Sequence, residues 1–393
     1  MPNDRNPPRT LFPRPKTILF SLIIISVIAG GFELASYFII TNFADTGSFN
    51  ARVLQSRYHP FLGWEPPANA RLNTGKAWYG EDKFIDTDPF GRSITPLSYD
   101  DPELKIVITG GSTMFGVGVS SNETTVPSQL EKKIIDRLGI RAEVVNLAVR
   151  GYNSFQELLS LRQYLLTDNA DFVLAISGRN DSQSALYDQD VKSALLPRSV
   201  YVNAVDLMRR AETQQPIVLN LVGFFRSKSY LADLLARVIL RAMEKLSAPG
   251  VVDAFPLEPK YDGIRKRAEI TLGNYWAMKA LTEFQNGRFY FVLIPTAYTW
   301  DKFAFDTPDN PPEQHRIYKA FENAYFDHLR ALGKSLPVND LTSIMNGYSG
   351  KPYVDKTHFS DEGADILSTH LLSLISDELV KKKETKGRSD NRR

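Results

Sequence analysis

Three short apolar runs, each stopped by glycine and separated by helical spacing, restrict the fold of this chain more than any other feature. Lys105–Thr109 (KIVIT) runs into Gly110-Gly111, Ala142–Val149 (AEVVNLAV) into Arg150-Gly151, and Phe172–Ile176 (FVLAI) into Ser177-Gly178. Between the first two, Val126, Leu130, Ile134, Ile135 and Leu138 recur on one side of a helix predicted over Thr124–Leu138. Between the second and third, Ser154–Leu166 reads as another helix, with Ser154 as its expected N-cap. Strands buried on both faces read as continuous apolar runs, and strands alternating with helices build a parallel sheet. The pattern returns with a helix over Ile264–Asn286, a strand over Arg288–Pro295, a helix over Pro312–Leu332, a weak strand near Leu336–Leu341 and a closing helix from Asp361 to Lys381. The expected fold is α/β, a three-layer, doubly wound and mainly parallel five-stranded sheet over residues 102–381. Residues 182–262 interrupt it with amphipathic segments (Tyr201–Ala211, Ile217–Phe224, Tyr230–Leu246) and read as a helical insertion or cap.

The N-terminal region obeys a different rule. Thr17–Ile40 is apolar almost throughout, broken only by Glu33. At ~1.5 Å per residue it is long enough to cross a hydrocarbon core of ~30 Å. Arg5, Arg9, Arg14 and Lys16 precede it and Asp45 is the first charge after it, so the N-terminus is expected in the cytoplasm and the rest outside. Signal-peptide cores are usually shorter, and no A-x-A site follows, which favours an uncleaved anchor. The expected organisation is a basic tail (1–16), a transmembrane signal anchor (17–41), a stalk and extended lead-in (42–101), the α/β domain, and a charged, disordered tail (382–393).

Composition removes several chemistries. The chain has no cysteine, which excludes a thiolate nucleophile, Cys-ligated zinc and disulfides. No H-E-x-x-H occurs and no His/Asp cluster has metal-ligand spacing, so no metal and no cofactor are expected. Gly111 and Gly116 have P-loop spacing, but Val117 stands where the lysine must be. The net charge of +2 comes from basic ends without a basic, aromatic-laced stripe, so nucleic acid is not an expected partner. Asn122-Glu123-Thr124 is a glycosylation sequon.

In an open parallel sheet, ligands bind beyond the carboxyl ends of the strands. Four segments there carry complementary chemistry: Gly110-Gly111-Ser112-Thr113, Arg150-Gly151-Tyr152-Asn153, Gly178-Arg179-Asn180-Asp181, and Asp355-Lys356-Thr357-His358 with Ser360 as the N-cap of the last helix. Ser112 is the candidate nucleophile, His358 its base, and Asp355 the group that orients the imidazole. The N–H of Ser112, the N–H of Gly151 and the side-chain amide of Asn180 are the candidate oxyanion donors. Arg150 and Arg179 flank the crevice and read as solvated surface residues, with binding of an acidic substrate as the alternative.

These residues resemble the SGNH (GDSL-type) hydrolases, whose four blocks contribute Ser, Gly, Asn and His, the last as D-x-x-H. Here they stand in order as Ser112 in ITGGST, Gly151 in NLAVRGYNS, Asn180 in SGRND, and Asp355 with His358 in DKTHFSDEG. The lead IDTDPFGRSI and the continuation FGVGVSSNET resemble the membrane-anchored bacterial branch. The resemblance implies a flavodoxin-like SGNH fold and a domain on the periplasmic side of the inner membrane. It departs at Gly111, where the name-giving block usually carries Asp. The function it implies is an extracytoplasmic esterase or deacylase that forms an acyl-enzyme on Ser112, acting on an O-acylated glycan or a lipid-linked envelope substrate. Two other readings fit the same residues. One is an O-acyltransferase for an envelope polysaccharide, working with a multi-spanning acyl-donor partner. The other is a non-catalytic, glycan-binding envelope module.

Overall fold

The computed structural model describes residues 15–42, 56–75, 82–97, 99, 101–187, 229–232, 234–235, 261, 263–302, 312–333 and 336–390. The chain forms two compact units, Met1–Asp45 with Arg210–Gly250 and Thr46–Arg209 with Val251–Arg393.

In the first unit, helix α1 (Pro15–Asn42) contains Leu19–Ile39, a stretch with mean hydropathy 2.0 that is long and apolar enough to cross a membrane. Leu19, Phe20, Ile25, Val27 and Leu34 are exposed on it, so its apolar surface is not turned toward protein. Glu33 is not left bare. Its carboxylate accepts hydrogen bonds from the Ser229 hydroxyl and from the backbone N–H groups of Tyr230 (2.8 Å) and Leu231 (3.3 Å), and Tyr37 meets Tyr230 edge-on.

The second unit begins with two antiparallel hairpins, β1 (Arg57–His59) with β2 (Gly63–Glu65), and β3 (Arg71–Asn73) with β4 (Phe84–Asp86). They bury Leu62, Trp64, Leu72 and Ile85, so the described part of the lead-in is packed structure. Asn122 explains part of this order. It is buried, and its side-chain amide accepts from Asp86 N–H and donates to the carbonyls of Asp86 and Ile94. Those bonds fold the lead-in onto the domain and leave no room for a glycan at the sequon.

The main elements follow in order: β5 (Leu104–Gly110), α2 (Ser112–Phe115), α3 (Val126–Leu138), β6 (Ala142–Asn146), α4 (Ser154–Leu165), β7 (Phe172–Ser177), α5 (Arg179–Tyr187), α6 (Ile264–Phe284), β8 (Arg288–Leu293), α7 (Pro312–Leu332), β9 (Val338–Asp340) and α8 (Asp361–Asp390). The sheet has the order β6-β5-β7-β8-β9 and every pairing is parallel. The two-residue period of a strand sends alternate side chains to opposite faces. Ile106, Ile108, Leu174 and Ile176 accordingly join a core with Leu130, Ile134, Leu367, Leu371 and Ile375 from α3 and α8. Val107, Val173, Ala175, Phe291 and Leu293 join a second core with Leu161, Tyr275, Met278, Phe326 and Leu329 from α4, α6 and α7. Helices on both faces of a parallel sheet make the three-layer, doubly wound α/β architecture that the sequence pattern predicts.

Three local expectations change. The α4 cap is Asn153, which accepts from Gln156 N–H while Gln156 reaches back to Asn153 N–H, a reciprocal box that leaves Ser154 inside the helix. Helix α8 does not stop at Lys381; it runs to Asp390, so the described part of the tail is helical. The reason is cationic: Lys386 reaches Asp171 (2.6 Å) and Lys383 reaches Glu103 (3.0 Å), holding the last turns against the amino ends of the strands. Of the insertion, α5 continues to Tyr187, while Tyr201–Ala211, Ile217–Phe224 and most of Tyr230–Leu246 lie outside the described residues.

Candidate active site

The strand order places its topological switch between β5 and β7, with the strand leading to Ser112 on one side and the strand leading to Asn180 on the other. Ser112 opens the one-turn helix α2, so its N–H has no acceptor within that helix. It is half-buried, and Gly111 before it is extended. Ser112 Oγ lies 2.8 Å from His358 Nε2. His358 Nδ1 lies 2.7 Å from Asp355 Oδ2. With Nδ1–H donated to the carboxylate, Nε2 is the acceptor for the serine hydroxyl.

Asp355 divides its oxygens between two tasks. Oδ1 accepts the backbone N–H groups of Thr357 (2.7 Å) and His358 (2.8 Å), an Asx turn that folds the loop, while Oδ2 holds the imidazole. Burial works to raise its pKa, but the electrostatic pull of the His358 ring and the hydrogen bonds from that ring and from these amides outweigh it. The carboxyl is held well below the usual carboxylate range. An Asp355 that stays ionised matches the role of stabilising an imidazolium. The loop is steadied further by Val354 N–H to His358 O and by Gly118, whose missing Cβ would sit 2.5 Å from Phe359 O.

The Asn and Gly blocks meet beside Gly111, where a Cβ would lie 2.4 Å from Asn180 Nδ2 and 3.8 Å from Tyr152 O. Gly151 takes φ +81°, a conformation L side chains rarely adopt. Asn180 Nδ2 donates to Tyr152 O at 2.7 Å, which ties the Asn block to the Gly block and leaves the second amide hydrogen free of that bond. The structure thus brings together Ser112, Gly151, Asn180, Asp355 and His358.

Arg179 is not the solvated residue expected. It is buried, forms an ion pair with buried Glu322 (Nη1 to Oε2, 2.7 Å), donates from Nε to Thr357 Oγ1 (3.3 Å), and lies over the rings of Tyr298 and Tyr318. Its neighbour Asn180 bonds Tyr152 O instead, so consecutive residues of one helix start tie to two different blocks, Arg179 to the His block and Asn180 to the Gly block. Arg150 is half-buried, with its guanidinium 5.5 Å from the Phe115 ring centroid.

Beneath the site lie two carboxyls that sequence reasoning missed as a pair. Glu157 is completely buried and accepts from Thr109 (3.0 Å) and Ser177 (2.6 Å), joining the ends of β5 and β7. Burial, with the nearby Asp181 charge, pushes its pKa up to about 8 against the pull of those hydroxyls. Asp181, also raised by burial, accepts from the Ser154 and Thr271 hydroxyls and pins the start of α4 to α6. The signal for Glu157 was present: it shares the inward face of α4 with Leu161 and Tyr164 at helical spacing. Glu322 carried the same kind of signal on α7, one turn from Tyr325 and Phe326. Among the described residues no group of His, Asp or Glu is arranged to hold a metal.

No protein-family model and no curated protein matches the chain. Several solved structures are similar to it at low identity. A lipase from a goat rumen metagenome is 13% identical, over 69% of this chain and 96% of its own, with a TM-score of 0.38. A GDSL-like lipase from Bacteroides thetaiotaomicron is 12% identical over 70% of this chain and 89% of its own, with a TM-score of 0.35. The psychrotrophic esterase EstA from Pseudoalteromonas is 13% identical over 70% of this chain and 98% of its own, with a TM-score of 0.32. In the order of its four sequence blocks, the chain is similar to the SGNH (GDSL-type) hydrolases.

Proposed function

We propose that the chain is a membrane-anchored serine esterase that forms an acyl-enzyme on Ser112, with His358 as general base and Asp355 as the orienting carboxylate. The observation that carries this reading is the continuous line from Ser112 Oγ through His358 to Asp355, at 2.8 and 2.7 Å. Ser112 attacks an ester carbonyl while His358 Nε2 takes its proton. The oxyanion is held by the N–H groups of Ser112 and Gly151 and by Asn180. His358 returns the proton to the leaving alcohol, and water repeats the sequence to release the acid.

The apolar helix α1 supports an anchor in the inner membrane with the catalytic unit on the periplasmic side. That location favours O-acylated glycans or lipid-linked envelope substrates. A sugar hydroxyl in place of water at the second step would make the same site a transferase, working with a multi-spanning acyl donor.

The test is hydrolysis of p-nitrophenyl acetate and butyrate by the full chain in detergent, beside Ser112→Ala. Loss of turnover by several orders of magnitude in the variant is the expected outcome, since triad members act as a unit. Equal turnover in both proteins would refute the assignment. A folded wild type without turnover would move the reading to the partner-dependent transferase or to a binding module.

A further inference from the structure

The segment between the anchor and the α/β domain reaches the site directly. Trp64, in the second strand of the first hairpin opposite Tyr58, is 4% exposed, and its indole Nε1–H donates to Arg150 O at 2.9 Å. That carbonyl belongs to the same peptide unit as the N–H of Gly151. A peptide unit is planar and trans, so its C=O and N–H point in opposite directions. Fixing the carbonyl therefore fixes where the Gly151 N–H points. A hydrogen bond accepted by the carbonyl also polarises the N–H at the other end of the same unit.

The contact is reinforced from both sides. Tyr152 OH donates back to Trp64 O at 2.7 Å, and Gln156 Nε2 donates to Leu62 O at 2.6 Å. The Trp64 and Tyr152 rings meet edge-to-face at 5.8 Å, and Leu62, Trp64, Val149 and Tyr152 form an apolar cluster separate from the two main cores. Tyr152 O is in turn the acceptor for Asn180 Nδ2. The hairpin thus holds the Arg150–Gly151 peptide unit through its carbonyl and the Tyr152 side chain through its hydroxyl, while Asn180 bonds the carbonyl of the next unit but one, Tyr152–Asn153.

We propose that Trp64 is a positioning residue for the oxyanion site, acting through the Arg150–Gly151 peptide unit, and that the lead-in hairpin is part of the catalytic apparatus rather than a tether. This rests on the reading of Gly151 as an oxyanion donor. A tryptophan is suited to the task because its ring seals the cluster while its single N–H makes one directed bond.

The experiment uses the full chain in detergent with Trp64→Phe, which keeps an aromatic ring and removes the N–H. Active sites are counted by titration with diethyl p-nitrophenyl phosphate, and kcat per titrated site is measured with p-nitrophenyl acetate. Inhibition by phenylboronic acid, whose adduct with serine places a tetrahedral oxygen in the oxyanion site, gives a second readout. The expected result is a fall in kcat per site of about tenfold or more, with KM within about twofold and the boronate Ki weakened by a similar factor. Fewer titratable sites, each with wild-type kcat and unchanged boronate Ki, would overturn the proposal, since that pattern marks a purely structural residue. Tyr152→Phe tests the same tie from the other side if Trp64→Phe does not fold, with a smaller loss in the same direction expected. Hydrogen exchange of the peptide spanning 149–153 is read in parallel and does not depend on turnover. Should the wild type prove inactive, the esterase reading fails, and faster exchange in Trp64→Phe still supports the lock while unchanged exchange refutes it.

Discussion

The side-chain amide of Asn180 occupies the space in which a side chain at position 111 would begin: a Cβ on Gly111 would lie 2.4 Å from Asn180 Nδ2. The glycine that departs from the usual G-D-S pattern is therefore matched to the close approach of the Asn block. Asn180 is held there by its bond to Tyr152 O, so a side chain at 111 displaces the proposed oxyanion donor rather than a loose group. Gly111→Ala and Gly111→Asp are both expected to lower kcat, by about 10²-fold if the donor is lost completely. Thermal stability should change little, because the displaced group is the end of one side chain. Introducing the common aspartate would thus impair this enzyme; an unchanged or raised kcat in Gly111→Asp would show that Asn180 is not an oxyanion donor.

Asp355→Asn separates the two tasks of that residue. An amide oxygen at Oδ1 can still accept from Thr357 and His358 N–H, so the loop should fold with a near-normal melting temperature. At the Oδ2 position an NH₂ would face His358 Nδ1, favouring the tautomer that leaves Nε2 protonated and unable to accept from Ser112. A loss in kcat of roughly 10⁴-fold is expected for this wrong-tautomer effect. Kinetics and a thermal melt on the same preparation check both halves.

The buried pair of Arg179 and Glu322 should show strong non-additivity. Arg179→Met alone leaves Glu322 buried without its cation, a situation that typically costs about 3–5 kcal/mol. Arg179→Met combined with Glu322→Leu removes both charges and should recover most of that stability. Activity should recover less, because Thr357 has lost its contact with the guanidinium beside His358. Chemical denaturation of the two single variants and the double variant closes the cycle.

Glu157 makes stability depend on pH with a definite sign. Its pKa in the folded protein is about 8, above the ordinary value of 4.5, so between those values the native state holds a proton that the unfolded chain has released. Stability carried by this group is complete below about pH 4.5, declines as the pH rises, and is gone above about pH 8. Glu157→Gln cannot ionise and should flatten the fall in melting temperature between about pH 5 and 8. Part of the slope should remain, because Glu131, raised to about 7 by burial, acts in the same direction. A slope unaltered in Glu157→Gln would refute this account.

The linear pattern was enough for the sheet, the layer count and the residues that could do chemistry. Strand runs such as Phe172–Ser177 and inward faces such as Leu130 with Ile134 follow local periodicity, which a chain displays whether or not it is folded. The triad was legible for a related reason, since a parallel sheet delivers every strand end to one crevice. Other features depended on contacts far apart in the chain. Ser112 and His358 are 246 residues apart, and their 2.8 Å approach exists only once the sheet is assembled. Arg179 looked solvated until α7 supplied Glu322, and the helical tail formed because Asp171 and Glu103 lay within reach of Lys386 and Lys383. The role of Trp64 was likewise invisible, because an indole N–H bonded to a carbonyl 86 residues away leaves no periodic trace. Sequence determines which elements form and which groups can react, through local spacing and side-chain chemistry. Tertiary structure decides which buried polar groups meet and which peptide units are locked, because those depend on distances that only the completed packing sets.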